Sequence, residues 1–340
     1  MQIHFWGTRG SIPVAANGLI VREKIKQALQ LAQGHHFESE EQIDRFIDES
    51  IEFPTQYGYG GDSSCLQIIG GNDYMLCDMG SGLRRFGQRI MQKYGPQNPQ
   101  TYHFFMSHVH WDHIMGFPFF TPIYIPGSKL KVHGPVSFEE DPLEEVVGGQ
   151  MKYRYFPINL GELASEIEYI RLKEDPAIDL GDGLSLTTKL LNHPITALGY
   201  RFEFAGKSVC TCYDTEPFRN LFITDPDDPG YDEAMAIEGE EVAAEQNQAV
   251  EQFFAGTDLL IYDAQYTEAE YANRINWGHT TIEYAIAAAE RAGVKRLALF
   301  HHDPDRADAR LDQLAEIYCL PARPGKTEVF FAREGMEFLL

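Results

Sequence analysis

Apolar residues in this chain come in short runs separated by Gly, Pro, Asn and Asp, the punctuation of strands joined by turns. Runs at 3–6, 65–69, 74–77, 102–107, 130–133, 185–190, 198–204, 208–213, 259–263, 296–301 and 328–332 read as strands. Gly70-Gly71-Asn72 joins two of them as a hairpin. Between the first two strands the period changes. Val21, Ile25, Ala28, Leu29 and Ala32 recur at helical spacing until Gly34. Ser39 and Gln42 open a second stripe, Ile43, Phe46, Ile47 and Ile51, which Pro54 stops. The pattern predicts a helical hairpin inserted at about 18–53, serving as a lid, a dimer contact or a cover for the sheet. Further helices are predicted at 83–94, 141–150, 280–292 and 308–318. Residues 216–248 crowd Asp, Glu, Pro and Gly, which predicts an acidic loop region inserted at about 219–250. The sum is one domain over 1–340, with sheets sandwiched between helices.

Chemistry collects at the strand ends. Directly after the run at 102–107 come His108, His110, Asp112 and His113, so three of the twelve histidines fall within six residues. His108 and His110 are two apart and face one way in an extended chain, and Asp112 and His113 follow, displaced enough to serve a second ion. A solvated polar loop would rarely concentrate histidine in this way. His193, Asp214 and His301 also terminate apolar strands. Any one of them alone reads as a capped loop residue; together they mark one edge of a sheet.

Charge narrows the partners. With 28 Lys and Arg against 51 Asp and Glu the formal balance is −23, which opposes long-range attraction of duplex nucleic acid. A small anion drawn in by bound cations is compatible with it. The five cysteines have neither the density nor the spacing of a disulfide framework or a thiolate metal site. No apolar run approaches the roughly 20 residues needed to span a bilayer. A reduced, cytoplasmic, soluble protein is the expectation.

The series His108-x-His110-x-Asp112-His113, then His193, Asp214 and His301, resembles the two-metal branch of the metallo-β-lactamase-fold hydrolases. That resemblance implies an α/β fold, an αββα four-layer sandwich, with a dinuclear site at one edge. It assigns His108, His110 and His193 to one ion, Asp112, His113 and His301 to the other, and Asp214 to both. His302 adjoins His301 as an alternative ligand. For a His-rich set with carboxylates, Zn²⁺ suits first and Mn²⁺ second.

A second match concerns 262–267, Trp277-Gly278-His279-Thr280-Thr281 and 299–301, which resembles the phosphodiesterase branch that includes ribonuclease Z. There the histidine of a Gly-His-Ser/Thr-Thr turn acts near the leaving group, the place of His279. Thr280 and Glu283 fit a capping box, which sets His279 just ahead of a helix N-terminus that favours an anion and disfavours an imidazolium unless a carboxylate or bound phosphate compensates. Three features depart from that branch. Asp62 stands where Asn is expected in the Gly-Gly-x-Ser/Thr-Ser-Cys return. The glutamate expected after Asp263 is missing, so that either Asp263 substitutes for it or His279 is less acidic, and no long Gly/Pro-rich basic arm is present to grip tRNA. The expected activity is dinuclear phosphodiester hydrolysis by a metal-bridging hydroxide oriented by Asp112, with His279 as general acid. Its substrate would be a small or flexible diester, such as a cyclic nucleotide or short oligonucleotide. Alternatives are hydrolysis of a thioester, lactone or amide, which needs no acid at His279, and a non-catalytic metal-binding scaffold. A homodimer is expected only from the family likeness.

Overall fold

Alternation within single strands sets the layers. In the strand Thr101–Phe105, Tyr102 and Phe104 pack with Phe86, Ile90 and Phe120, while Phe105 meets Tyr200 and Phe202 from the other half of the chain. In Leu259–Asp263, Leu260 and Tyr262 pack with Ala285, Ala288 and Leu311. Leu259 and Ile261 face the other way, into the same cluster as Phe105. Successive side chains point to opposite faces, so a strand apolar on both needs a layer above and a layer below.

The computed structural model describes residues 1–136, 142–174 and 177–340. In chain order the strands are β1 Gln2–Gly7, β2 Cys65–Ile69, β3 Tyr74–Cys77, β4 Thr101–Phe105, β5 Lys129–Pro135, β6 Glu166–Leu172 and β7 Ile178–Gly181. Then come β8 Leu184–Leu191, β9 Ala197–Phe204, β10 Lys207–Cys212, β11 Leu259–Asp263, β12 Arg296–Phe300, β13 Glu328–Phe331 and β14 Glu337–Leu339. Among the described residues they form two seven-stranded sheets, ordered β14-β1-β2-β3-β4-β5-β6 and β13-β12-β11-β10-β9-β8-β7. One apolar cluster, with Ile3, Phe5, Leu66 and Ile68 from the first sheet and Leu186, Phe202 and Ile261 from the second, lies between them. The helix Leu83–Tyr94 covers the outer face of the first sheet, and helices Ile282–Arg291 and Asp308–Tyr318 cover the second. The result is the expected αββα sandwich.

Strand direction is what positions the site. β3 to β6 run parallel, and so do β10 to β13. β8 is antiparallel to β9, which is antiparallel to β10, so β8 points the same way as β10. Residues that follow β3, β4, β8, β10, β11 and β12 are thereby delivered to C-terminal strand ends, where ligands gather in sheets of this kind.

Three strands, β6, β7 and β14, carry too weak an apolar signal to be read from the sequence. β6 alternates Glu166, Glu168 and Arg171 with its apolar residues, and only Leu172 in it is buried. The acidic region at 219–250 is corrected in its second half, where Glu233–Phe253 is a helix of 21 residues. Asp232 caps it by accepting from Met235 N–H, and Gly239, Ala243 and Val250 form its buried stripe. Ala, Glu and Gln favour helix despite the acidity. The hairpin contains helices Gly18–Leu31 and Glu40–Ser50, neither with a buried residue. A short helix spans Leu143–Gly148; Asp141, where the expected one began, lies outside the described residues. Among those residues no helix is long and apolar enough to cross a membrane.

Candidate metal centre

Left-handed backbone marks the edge where the strands end. Asp78 after β3, Asp214 after β10 and His301 after β12 have φ of 61°, 35° and 61°. Side chains other than glycine rarely adopt this region, and strain of this sort persists where the surrounding structure over-determines it. Glycine supplies the tightest approaches. At Gly10 a Cβ would lie 2.3 Å from His301 Nδ1, and at Gly278 2.2 Å from His193 Nδ1.

The edge gathers three overlapping groups of donor atoms that all include Asp214. His108, His110, His193 and Asp214 form the first, Asp112, His113, Asp214 and His301 the second, and Asp214, Asp263, His279 and His301 the third, each with its donors within 4.8 Å of one another. In the first, His110 Nδ1 lies 3.0 Å from His108 Nε2 and 3.1 Å from His193 Nε2. In the second, Asp112 Oδ2 lies 3.2 Å from both His113 Nε2 and His301 Nε2, and Asp214 Oδ1 is 3.2 Å from the same two nitrogens. Asp214 Oδ2 is 3.4 Å from His108 Nε2, so its two oxygens face different groups.

Hydrogen bonds on the far side of each ring settle which nitrogen faces inward. His113 Nδ1 donates to Asp78 Oδ2 at 2.7 Å, His193 Nδ1 to the Gly278 carbonyl at 2.9 Å and His301 Nδ1 to Gln265 Oε1 at 2.8 Å. Ser107 donates its hydroxyl to Asp78 and stands 3.0 Å from His108 Nδ1, whose proton it can accept. With Nδ1 engaged on the far side, each of these rings turns Nε2 to the interior, the nitrogen that a metal ligand presents once it is free of a proton. His113 Nε2 and Asp214 Oδ1 are buried without a hydrogen-bond partner. Converging lone pairs with unsatisfied atoms among them form a donor set that a cation completes. His302 turns away: its Nε2 donates to the Ala332 carbonyl at 2.7 Å, so of the two neighbours it is His301 that faces the cluster.

Asp78 is the residue that sequence reasoning missed. It is fully buried and binds His113, the Ser107 amide and the Ser107 hydroxyl, organising two of the histidines at once. Gln265 does the same for His301, and Ser11 N–H donates to Asp112 Oδ2 at 2.8 Å.

Burial and charge pull the rings apart. Burial drives His108 well below the usual imidazole range and His193 to about 4, despite Asp214 nearby. For His113 burial acts the same way, but Asp214, Asp112 and Asp78 together outweigh it and hold the ring well above its usual value. Asp214 is correspondingly held far below the carboxylate range by His113, His301 and His108, against its own desolvation.

His279 lies beside this cluster, its ring stacked on His301 with centroids 4.8 Å apart. Its Nδ1 donates to Asp263 Oδ2 at 2.7 Å, while Asp263 Oδ1 accepts from Thr280 N and Gln265 N. Burial disfavours the imidazolium, yet Asp263, with Asp214 and Asp112 behind it, raises its pKa to about 9. A helix N-terminus alone would depress this ring, and the carboxylate compensates. The cap itself shifts by one residue. Thr281, not Thr280, accepts from Tyr284 N, because the Thr280 amide is engaged by Asp263.

No protein-family model matches the chain. A ribonuclease Z from Synechococcus sp. (strain CC9311) is 25% identical over 291 residues, 76% of this chain and 86% of that protein. A ribonuclease Z from Lactococcus lactis subsp. lactis is 31% identical over 227 residues, 58% of this chain and 69% of that protein. The chain belongs to the ribonuclease Z-like metallo-β-lactamase-fold proteins. Among solved structures, the metallo-β-lactamase fold protein YhfI from Bacillus subtilis superposes with a TM-score of 0.58 at 15% identity, covering 99% of this chain and 98% of that one. This ribonuclease Z-like chain is a metal-dependent hydrolase of the phosphodiesterase type.

Proposed function

We propose that the ribonuclease Z-like chain holds two divalent ions, Zn²⁺ in preference to Mn²⁺, and hydrolyses a small or flexible phosphodiester. The observation that carries the reading is the pair of histidine-rich donor groups that share Asp214, with His113 Nε2 and Asp214 Oδ1 buried, 3.2 Å apart and without an aligned hydrogen bond. His108, His110 and His193 would hold one ion, Asp112, His113 and His301 the other, and Asp214 both. Bound there, the ions supply Lewis acidity toward the phosphoryl oxygen and an acidified water for attack on phosphorus. Asp112, fixed by the Ser11 amide, is assigned to orient that water as well as to ligate. His279 gives its Nδ1 proton to the hydrogen bond with Asp263, so the proton it can transfer is on Nε2. As the P–O bond breaks, that proton passes to the departing oxygen, leaving a phosphomonoester and an alcohol. The hydrogen bond and charge of Asp263, which raise the His279 pKa, favour the protonated ring that this task needs.

The formal charge of −23 favours a short diester over a folded polyanion. A second reading, in which an unpaired RNA end is the substrate, is favoured by the ribonuclease Z relatives. Metal-replete protein should hydrolyse bis(p-nitrophenyl) phosphate, lose that activity to a chelator, and lose about 10²-fold or more in His279→Ala. Cyclic nucleotides, short oligonucleotides and a precursor tRNA in the same assay rank the substrates. Activity that survives chelation sinks the proposal. A His279→Ala variant at full rate would move it to a thioester, lactone or amide.

A further inference from the structure

The chain has three tryptophans, and two of them are exposed and adjoin site residues in the sequence. Trp6 is 7% exposed and packs edge-on to Phe86, an ordinary core residue. Trp111, between His110 and Asp112, is 74% exposed, and Trp277 is 60% exposed. Trp277 adjoins Gly278, whose carbonyl accepts from His193 Nδ1, and lies two residues before His279. Its own amide donates to the Arg274 carbonyl and the Gly278 amide donates to Glu216, so its backbone is pinned while its ring stays in solvent. One wide aromatic face therefore stands on each of the two turns that bring donors to the edge, the turn of His108–His113 and the turn of His279. Packing gives little reason for an indole at either place, because both side chains are mostly exposed.

The charged groups nearby point the same way. Arg219 donates to Tyr271 OH, Arg274 to the Glu270 carbonyl and Arg306 to Glu270 Oε2. These cations at the His279 side are committed to internal partners. Beyond the attraction of bound cations, an anionic substrate of a chain at −23 gains affinity from a source that does not depend on a basic surface. Stacking of a nucleobase on an aromatic ring is such a source, tolerant of sequence and open only to a base outside a duplex.

We infer that Trp111 and Trp277 are stacking platforms for unpaired nucleobases on either side of the scissile phosphate. The inference rests on the phosphodiesterase reading above and adds the groups that select the substrate. Two measurements test it on the metal-loaded full chain. Titration with adenosine 5′-monophosphate should quench tryptophan emission saturably, while ribose 5-phosphate, which lacks the base, should not. In turnover, wild type should favour adenylyl-(3′,5′)-adenosine over methyl p-nitrophenyl phosphate in kcat/KM. Trp111→Ala and Trp277→Ala should each shrink that preference by about 5- to 150-fold, mostly through KM, and Trp→Phe at either position should restore most of it. Loss of the preference with rescue by Phe supports the proposal. Parallel loss on both diesters, or quenching by both phosphates alike, overturns it. Base-dependent quenching without turnover of either diester would retain the platforms and remove the phosphodiesterase reading; turnover without it would do the reverse.

Discussion

β4 carries a histidine cluster at each end, and only one of them is built as a site. At its start His103 Nδ1 is 3.3 Å from His133 Nε2, and His103 Nε2 is 3.3 Å from Asp73. The two rings stack, and His133 lies flat on Phe105 at 4.6 Å between centroids. Burial pushes His103 down and His133 to about 3, so both are neutral rings satisfied by each other and by one half-exposed carboxylate. At the far end His108 and His113 face carboxylates they share with other rings, with buried atoms left over. Histidine density is the same kind of signal in both places. What separates them is the supply of carboxylates, the Nδ1 bonds that aim lone pairs at one point, and a backbone held at positive φ to do so.

The sharpest way to break this contrast is Asp214→Asn. Removing the shared negative oxygen should lower bound metal below two per chain and cut turnover by about 10³-fold or more. Metal analysis beside a rate measurement checks both, and full occupancy at a normal rate would dissolve the distinction between the clusters.

Asp263→Asn tests the adjoining pair. His279 is raised to about 9, chiefly by Asp263 acting against burial, so its acid function is present below that pH and lost as pH rises through it. Without the carboxylate the basic limb of the pH–rate profile should move down by about 1–3 units. An unmoved limb would mean that another group sets it.

The smallest effect belongs to the other cluster. His133 stays neutral in the folded chain down to about 3, whereas an unfolded histidine takes its proton near 6.5. Between those values the unfolded state binds more protons, so stability falls as pH falls. His133→Leu should make this acid-side slope shallower by one proton, read from denaturant unfolding at several pH values. Metal content and turnover should stay at wild-type levels.

The strand-end donors were legible because each is a polar residue closing an apolar run, and direction along the strands did the rest. Asp78 was not. It too ends a run, but its partners depend on β3 lying parallel to β4 with Cys77 opposite Phe105, which places it beside Ser107. Register across 30 residues leaves no trace in local composition. The helix Glu233–Phe253 was hidden for a different reason, since an acidic segment with few apolar residues reads as loop until its thin stripe of Gly239, Ala243 and Val250 is seen to be buried. β6 and β7 escaped because sheet-edge strands need little apolar content on their open side.

The sharing of Asp214 has a consequence for how the molecule is assembled. Asp112 and His113 hang from the first sheet, and Asp214 and His301 from the second, so neither half of the sandwich owns a complete set of donors. Whatever cation settles there fastens two sheets that otherwise meet through an apolar layer and a few hydrogen bonds, among them Leu198 N–H to the Ser107 carbonyl and Tyr200 OH to the Met106 carbonyl. A ligand that binds the docked state and not the separated one stabilises docking by mass action. Loading would thus act as a rivet, driven only after both sheets have formed, and its removal would be felt first as loosening between them.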